Sequence, residues 1–295
     1  MIVAANTVTG GLSDVVFIIL ILCALALGAG ACWLFLHMRK KRARASSEVS
    51  PTEHPDPADV NLTLEQLEEA RRAFTANVSH ELKTPLTVIS GYAELLKAGM
   101  VNPQDITEVS AVILEEAKYM LSLVNDVLTL AQLDEFTATG NTKAHLTEVD
   151  LTVVVTEVFE QLKPFATHNE VICEIDTSGN TRILAIKRLL TSIVYNLCEN
   201  AIRYNKPGGS VQVVIEGLSE TVRLVVIDSG HGIPLEEQPR VFERFYRIDA
   251  AHSRESGGTG LGLAIVKHGA LYHNATLTLE SEPAKGTKVT VEFPR

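Results

Sequence analysis

Apolar and polar positions divide the chain into three stretches of different period. From Val15 to Leu36 no residue is charged. That run is long enough to cross about 30 Å of hydrocarbon, and Trp33 stands where an interfacial anchor belongs. One transmembrane helix over 15–38 is therefore expected. Ser46 to Asp59 is rich in Ser, Pro, Asp and Glu without apolar periodicity, and reads as a short linker. A helical period follows. Thr63-x-x-Gln66 reads as a capping box opening a helix carried to Lys97, with Gly99 and Asn102-Pro103 as the turn. Ile106, Val109, Ile113, Ala117, Met120, Val124, Val127 and Ala131 then step by three and four, and Val112, Leu123 and Leu130 widen the stripe. One hairpin cannot bury so wide a face. Two can, so the pattern predicts an antiparallel four-helix bundle built by a homodimer.

Thr137 to Lys143 breaks the helical period and marks the next boundary. Strand-like runs at Val171 to Ile175, Val211 to Glu216, Val222 to Asp228, Ala275 to Glu280 and Lys288 to Glu292 alternate with helical stretches near 151–166, 186–204 and 260–272. This predicts an α/β sandwich after the helical hairpin, and hence a multidomain chain.

Composition and charge refine this outline. With 26 Lys and Arg against 36 Asp and Glu, the net charge of −10 argues against a nucleic-acid partner. The four cysteines make no metal spacing, and a reduced compartment is the simplest reading. Only Asp14 carries side-chain charge ahead of the apolar run, whereas Arg39-Lys40-Lys41-Arg42-Ala43-Arg44 follows it at once. The positive-inside rule then places residues 39–295 in the cytoplasm. A cleaved signal peptide ending at Ala29-Gly30-Ala31 fits less well, because no lysine or arginine precedes the run. Ala24, Gly28 and Cys32 recur every fourth position and could form a close helix contact.

The most informative stretch is Phe74-Thr75-Ala76-Asn77-Val78-Ser79-His80-Glu81-Leu82-Lys83-Thr84-Pro85-Leu86. At about 100° per residue, Phe74, Val78, Leu82 and Ile89 share one face, and His80 lies roughly 160 to 200° from them, toward water. Pro85 cannot donate to the Glu81 carbonyl, which predicts a bend just after the histidine. The string resembles the phosphoacceptor box of sensor histidine kinases of bacterial two-component systems. That resemblance implies that the His80 imidazole attacks the γ-phosphate of ATP and that the phosphoryl group passes on to an aspartate of a response regulator. A neutral imidazole suits this, being an unprotonated nucleophile near neutral pH.

Three further motifs stand in the α/β part. Asn196, Asn200 and Arg203 fall on one helix face at i, i+4 and i+7, two amide carbonyls and a cation that suit Mg²⁺ and phosphate oxygens. Asp228-Ser229-Gly230-His231-Gly232-Ile233 puts a carboxylate at a strand end beside two glycines, able to accept an amino group while backbone closes on a flat ring. Gly257-Gly258-Thr259-Gly260-Leu261-Gly262-Leu263 opens a helix whose amides could approach phosphates. With Val241 to Arg247, these stand in the order and spacing of the N, G1, F and G2 boxes of the histidine-kinase ATP-binding domain, of Bergerat-type fold. By that resemblance, which covers residues 61–295, Asn200 holds Mg²⁺ with Asn196 close by, and Arg203 and Tyr204 approach the phosphates of ATP. Asp228 holds the adenine amino group, Gly230 and Gly232 line the base, and Gly258, Thr259, Gly260, Leu261 and Gly262 form the phosphate loop, with 233–256 as a mobile lid. Two positions depart from the family pattern: Asn274 stands where glycine is frequent, and no acidic residue occurs at Leu184-Ala185-Ile186.

Related ATPases that hydrolyse ATP carry a water-activating glutamate four residues before the Mg²⁺ asparagine. Here that position is Asn196, and Glu199 is expected to point about 100° away. Transfer to His80 is thus favoured over hydrolysis, with Glu81 as candidate base. Two alternatives stay open. One is a pseudokinase that binds nucleotide only to set its conformation; the other is a mainly phosphatase member, because Glu81-x-x-Thr84 resembles the motif that orients water on a phosphorylated regulator. The domains implied are an extracytoplasmic segment 1–14, the transmembrane helix 15–38, a basic juxtamembrane segment and linker 39–60, the dimerisation and phosphotransfer domain 61–137 and the ATP-binding domain 138–295. The location implied is the bacterial cytoplasmic membrane. So short an outer segment implies a signal arising within the bilayer or from a membrane protein docking beside the helix.

Overall fold

The computed structural model describes residues 57–139, 146–248 and 258–295. The expected membrane span, the basic segment after it and the outer segment lie outside these residues. Among the described residues, no helix is long and apolar enough to cross a membrane. The chain divides into two compact units, Met1–Leu67 and Glu68–Arg295, and the second holds nearly all of the described residues.

The hairpin comes first. Helix α1 (Pro57–Lys97) begins six residues before Thr63, so the expected capping box lies inside it. Proline suits a first helical turn, where its missing N–H has no partner to lose. The helix continues through Pro85, which is buried. Helix α2 (Ile106–Thr139) closes the hairpin. Its apolar face is wider than one neighbour can cover, as its period predicts. Within α2, Leu123, Leu130 and Leu133 are at 0% exposure, whereas Leu114, Leu121 and Leu128, spaced by seven, stay 55%, 65% and 44% exposed. The buried three are covered by the α/β part rather than by a second hairpin.

That part starts with β1 (Thr147–Asp150) and α3 (Leu151–His168), whose N-cap Asp150 accepts from Thr152 N. After β2 (Ile172–Ser178) and β3 (Arg182–Ala185) come α4 (Lys187–Arg203), β4 (Ser210–Gly217), β5 (Thr221–Asp228), α5 (Gly262–Tyr272), β6 (Thr276–Glu282) and β7 (Gly286–Pro294). The main sheet has the order β2-β4-β5-β7-β6, parallel only between β2 and β4. Strands β1 and β3 form a separate antiparallel pair that periodicity did not reveal, since four residues are too few to show alternation. Alternate residues Val211, Val213, Ile215, Val222, Leu224, Val226, Val289, Val291 and Phe293 are buried on one sheet face against α3, α4 and α5. Each such side chain contributes about 1.5–3 kcal/mol on burial. The two-layer sandwich expected from the sequence is thus the structure found.

His273, at the C-cap of α5, ties the helical layer together. Its Nδ1 donates to the Gly269 carbonyl at 2.7 Å, and its Nε2 accepts from Ile186 N–H at 3.2 Å, at the start of α4. A buried side-chain acceptor here substitutes for a side-chain cap on α4. Asn274 follows at φ +52°, the left-handed conformation that asparagine accepts more readily than most residues.

Candidate functional site

A cavity of about 360 Å³ opens beside α4. Asn196, Asn200, Arg203 and Tyr204 line it from the helix and its C-cap, and Gly258, Thr259, Gly260 and Gly262 line it from the loop before α5. The i, i+4, i+7 face and the glycine loop are therefore brought together, as read from sequence. Close approach demands the glycines here. A Cβ on Gly262 would lie 2.5 Å from Asn196 Oδ1. Gly260 takes φ +69°, a conformation costly for residues with a Cβ. Asn196 is buried, and its Nδ2 donates to the Ser192 carbonyl at 2.8 Å, which orients its Oδ1 toward the loop.

Other predicted residues stand elsewhere or differently. Leu261 belongs to the loop, but its side chain is fully buried against Leu123 and Leu130, and so supports the loop from behind. Its amide donates to Thr259 Oγ1 at 3.2 Å. Asp228, Gly230 and Gly232 do not line the cavity. They pack at its end through the His231 N–H, which donates to the Tyr204 carbonyl at 3.1 Å. Asp228 Oδ1 accepts from Gly230 N at 2.8 Å and Thr287 N at 3.2 Å, and burial pushes its carboxyl above the usual range against those two bonds. Among the described residues Oδ2 takes no hydrogen bond, leaving it available to an amino group.

Glu199 corrects an expectation. It lines the same cavity, because its long side chain reaches back around the helix to Arg203, which donates to Oε1 at 2.8 Å. Arg203 also stacks on the Phe165 ring at 5.3 Å. This arginine is thus paired with Glu199 in the present structure rather than standing free for an anion. The Glu199 carboxylate is therefore engaged by Arg203, a geometry different from the one expected.

On the hairpin, His80 is exposed, as the helical wheel predicts. Thr84 Oγ1 bonds back to the His80 carbonyl at a marginal 3.5 Å. Glu81 is not free: its Oε2 accepts from Tyr119 Oη at 2.9 Å and lies 3.7 Å from the Arg247 guanidinium, which also donates to Tyr119 Oη at 3.2 Å. This triad joins both helices of the hairpin to the segment before α5. Further polar ties cross the same seam. Arg244 donates to Asp134 at 2.7 Å while lying over the Phe74 ring, and Thr259 donates to Asp126 at 2.8 Å. Between them Phe74, Leu82, Leu123, Val127 and Leu130 pack on Phe245, Leu261, Ala264 and Ile265.

Tyr119, Asp126, Glu199 and Arg247 were not singled out from sequence as site residues. Tyr119, Asp126 and Leu133 lie seven apart on one flank of α2. Polar residues recurring at that interval beside a leucine stripe were the available signal.

Two family models match the chain. The His Kinase A (phospho-acceptor) domain matches residues 70–136, and the histidine kinase-, DNA gyrase B- and HSP90-like ATPase matches residues 185–295. The sensor-like histidine kinase SenX3 of Mycolicibacterium smegmatis is 35% identical over 229 residues, 78% of this chain and 59% of its own. The phosphate regulon sensor protein PhoR of Pseudomonas aeruginosa is 35% identical over 230 residues, 77% of this chain and 51% of its own. The chain thus spans little more than half the length of these curated relatives. The Acinetobacter baumannii histidine kinase AdeS is similar in fold, with a TM-score of 0.58 at 24% identity over 73% of this chain and 97% of that one. Full-length ShkA in complex with AMPPNP gives a TM-score of 0.54 at 29% identity over 74% of this chain and 45% of that one.

Proposed function

The chain belongs to the sensor histidine kinases of two-component systems, and on that premise we propose that it transfers the γ-phosphoryl group of ATP to His80 and then to an aspartate of a response regulator. One observation carries the reading: a single chain holds an exposed histidine on a helical hairpin and, beside α4 of the sandwich, a cavity where an asparagine face meets a glycine loop. The AMPPNP bound by ShkA supports a nucleotide as the occupant. Asn200 and Asn196 supply amide oxygens of the kind a hard cation accepts, so Mg²⁺ fits this donor set. Bound there, Mg²⁺ would neutralise charge on the phosphates.

The chain's own groups do the rest. The loop before α5 lets backbone N–H groups approach the phosphates, and the Asp228 carboxylate accepts from the adenine amino group. His80 is the nucleophile and Glu81 takes its proton, which requires Glu81 to leave Arg247 and Tyr119. Thr84, one turn beyond His80, orients a water when the regulator is dephosphorylated. The exposed heptad stripe Leu114, Leu121 and Leu128 supports a homodimer, since a second hairpin would cover it. The uncharged run at 15–36 supports anchorage in the cytoplasmic membrane with residues 39–295 inside, where a second membrane protein could deliver the signal.

Incubation of the purified full chain with Mg²⁺ and γ-labelled ATP tests this. Label stable to alkali and lost in acid, absent from His80→Gln while ATP binding stays within about twofold, is expected of a phosphohistidine. Label retained on His80→Gln refutes the assignment. Nucleotide binding without label on the wild-type chain would favour the pseudokinase.

A further inference from the structure

Several polar ties across the seam end on groups that line the cavity. Asp126 reaches from α2 into the cavity itself, where its Oδ2 accepts from Thr259 of the glycine loop at 2.8 Å. Two of the cavity's arginines are engaged by the hairpin as well: Arg188 donates to Gln132, and Arg247 bonds Tyr119 and faces Glu81. The third, Arg203, is held by Glu199. The hairpin therefore presents an anion to the very loop that a phosphate chain would use, and engages two of the arginines beside it.

We propose that Asp126 is a phosphate-mimicking latch: its carboxylate holds the hairpin on the glycine loop through Thr259, and a triphosphate must displace it to bind fully. The inference rests on the nucleotide reading of the cavity. Asp126 pairs with a neutral hydroxyl rather than a cation, and burial, with Glu199 nearby, pushes its carboxyl up to about 6. A carboxylate so placed stays largely ionised at neutral pH yet is poorly stabilised, so a second anion in the cavity tips it out. Release of Asp126 also frees the hairpin from Leu261 to Ile265, because the apolar contact and the Asp126 bond lie on the same flank of α2. Triphosphate binding and hairpin docking thereby oppose one another, and Glu81 is released with the docked surface.

The test compares the full chain with Asp126→Ala and with Asp126→Asn, which keeps an acceptor for Thr259 without the charge. Titration with Mg-ATP, ADP and AMP should show ATP binding on the order of tenfold tighter in both variants, while AMP, which is too short to meet Asp126, changes less than about twofold. Hydrogen exchange of the wild-type chain should speed up at residues 119–130 on adding Mg-ATP and stay unchanged with AMP. Equal ATP affinity in all three proteins, or tighter protection of 119–130 with ATP, overturns the latch while leaving the nucleotide site standing. Weaker ATP binding in the variants makes Asp126 a ligand of the metal and overturns it too. No ATP binding to any of the three defeats the nucleotide reading and the latch together.

Discussion

Two alanine substitutions in one glycine loop should behave very differently. A Cβ at Gly262 would lie 2.5 Å from Asn196 Oδ1 and 3.2 Å from its Cγ, about 1 Å short of ordinary van der Waals contact. Asn196 is buried and its amide donates to the Ser192 carbonyl, so it cannot swing aside without losing that bond. The lost bond is worth about 0.5–1.5 kcal/mol and local overpacking adds about 1–3 kcal/mol. With partial relaxation, about 2 kcal/mol is a reasonable net effect. At about 2–4 °C per kcal/mol, Gly262→Ala should lower the melting temperature by roughly 4–8 °C. Displacing the Asn196 amide from the cavity should weaken Mg-ATP binding by about tenfold to thirtyfold. At Gly258 the nearest atoms to a Cβ are Tyr204 Oη at 3.4 Å and Arg203 Cδ at 4.0 Å, so Gly258→Ala should bind ATP within about threefold of wild type. Isothermal titration and thermal melts of the two full-length variants decide this. Equal losses in both, or a Gly262→Ala protein that melts and binds like wild type, would show that contact with Asn196 is not what excludes a side chain there.

Leu121→Glu should shift the detergent-solubilised full chain from dimer to monomer in sedimentation, because each buried leucine contributes about 1.5–3 kcal/mol and the stripe occurs twice per dimer; an unaltered dimer would show that Leu114, Leu121 and Leu128 face something else. Burial lowers the affinity of His273 for a proton, so the unfolded chain protonates near pH 6.5 where the folded one resists. Its contribution is complete above that pH and fades below it, by up to about 1.4 kcal/mol at pH 5.5. Urea melts of His273→Gln should therefore show a smaller loss between pH 7.5 and 5.5 than wild type, and identical slopes would assign the acid sensitivity to other groups. Thr84→Ala should keep labelling of His80 within about threefold while slowing regulator dephosphorylation by tenfold or more, since the hydroxyl makes only a marginal bond to the backbone. A parallel fall in both activities would make Thr84 a support for the helix.

The sequence alone sufficed for much of what depends on neighbours along the chain. The period of α2, the alternation in β4 and β5 and the solvent side of α1 that carries His80 all follow from local sterics and the partition of side chains between water and core. The glycine loop was legible too, because closeness to Asn196 leaves no room for a Cβ. What surrounds the site required the tertiary structure. Thr259 and Asp126 are 133 residues apart, Arg247 and Tyr119 128, and Arg244 and Asp134 110. A polar residue on a helix flank has the same pattern whether it meets water or another domain, and so nothing along the chain marked Asp126, Tyr119 or Asp134 as contacts of the α/β part. Leu123 and Leu130 likewise read as part of a bundle core, for periodicity tells how wide an apolar face is and not which surface covers it. Glu199 was misjudged for a related reason: the helical wheel gives the direction of a Cβ, and a glutamate is long enough to return to Arg203 one turn away.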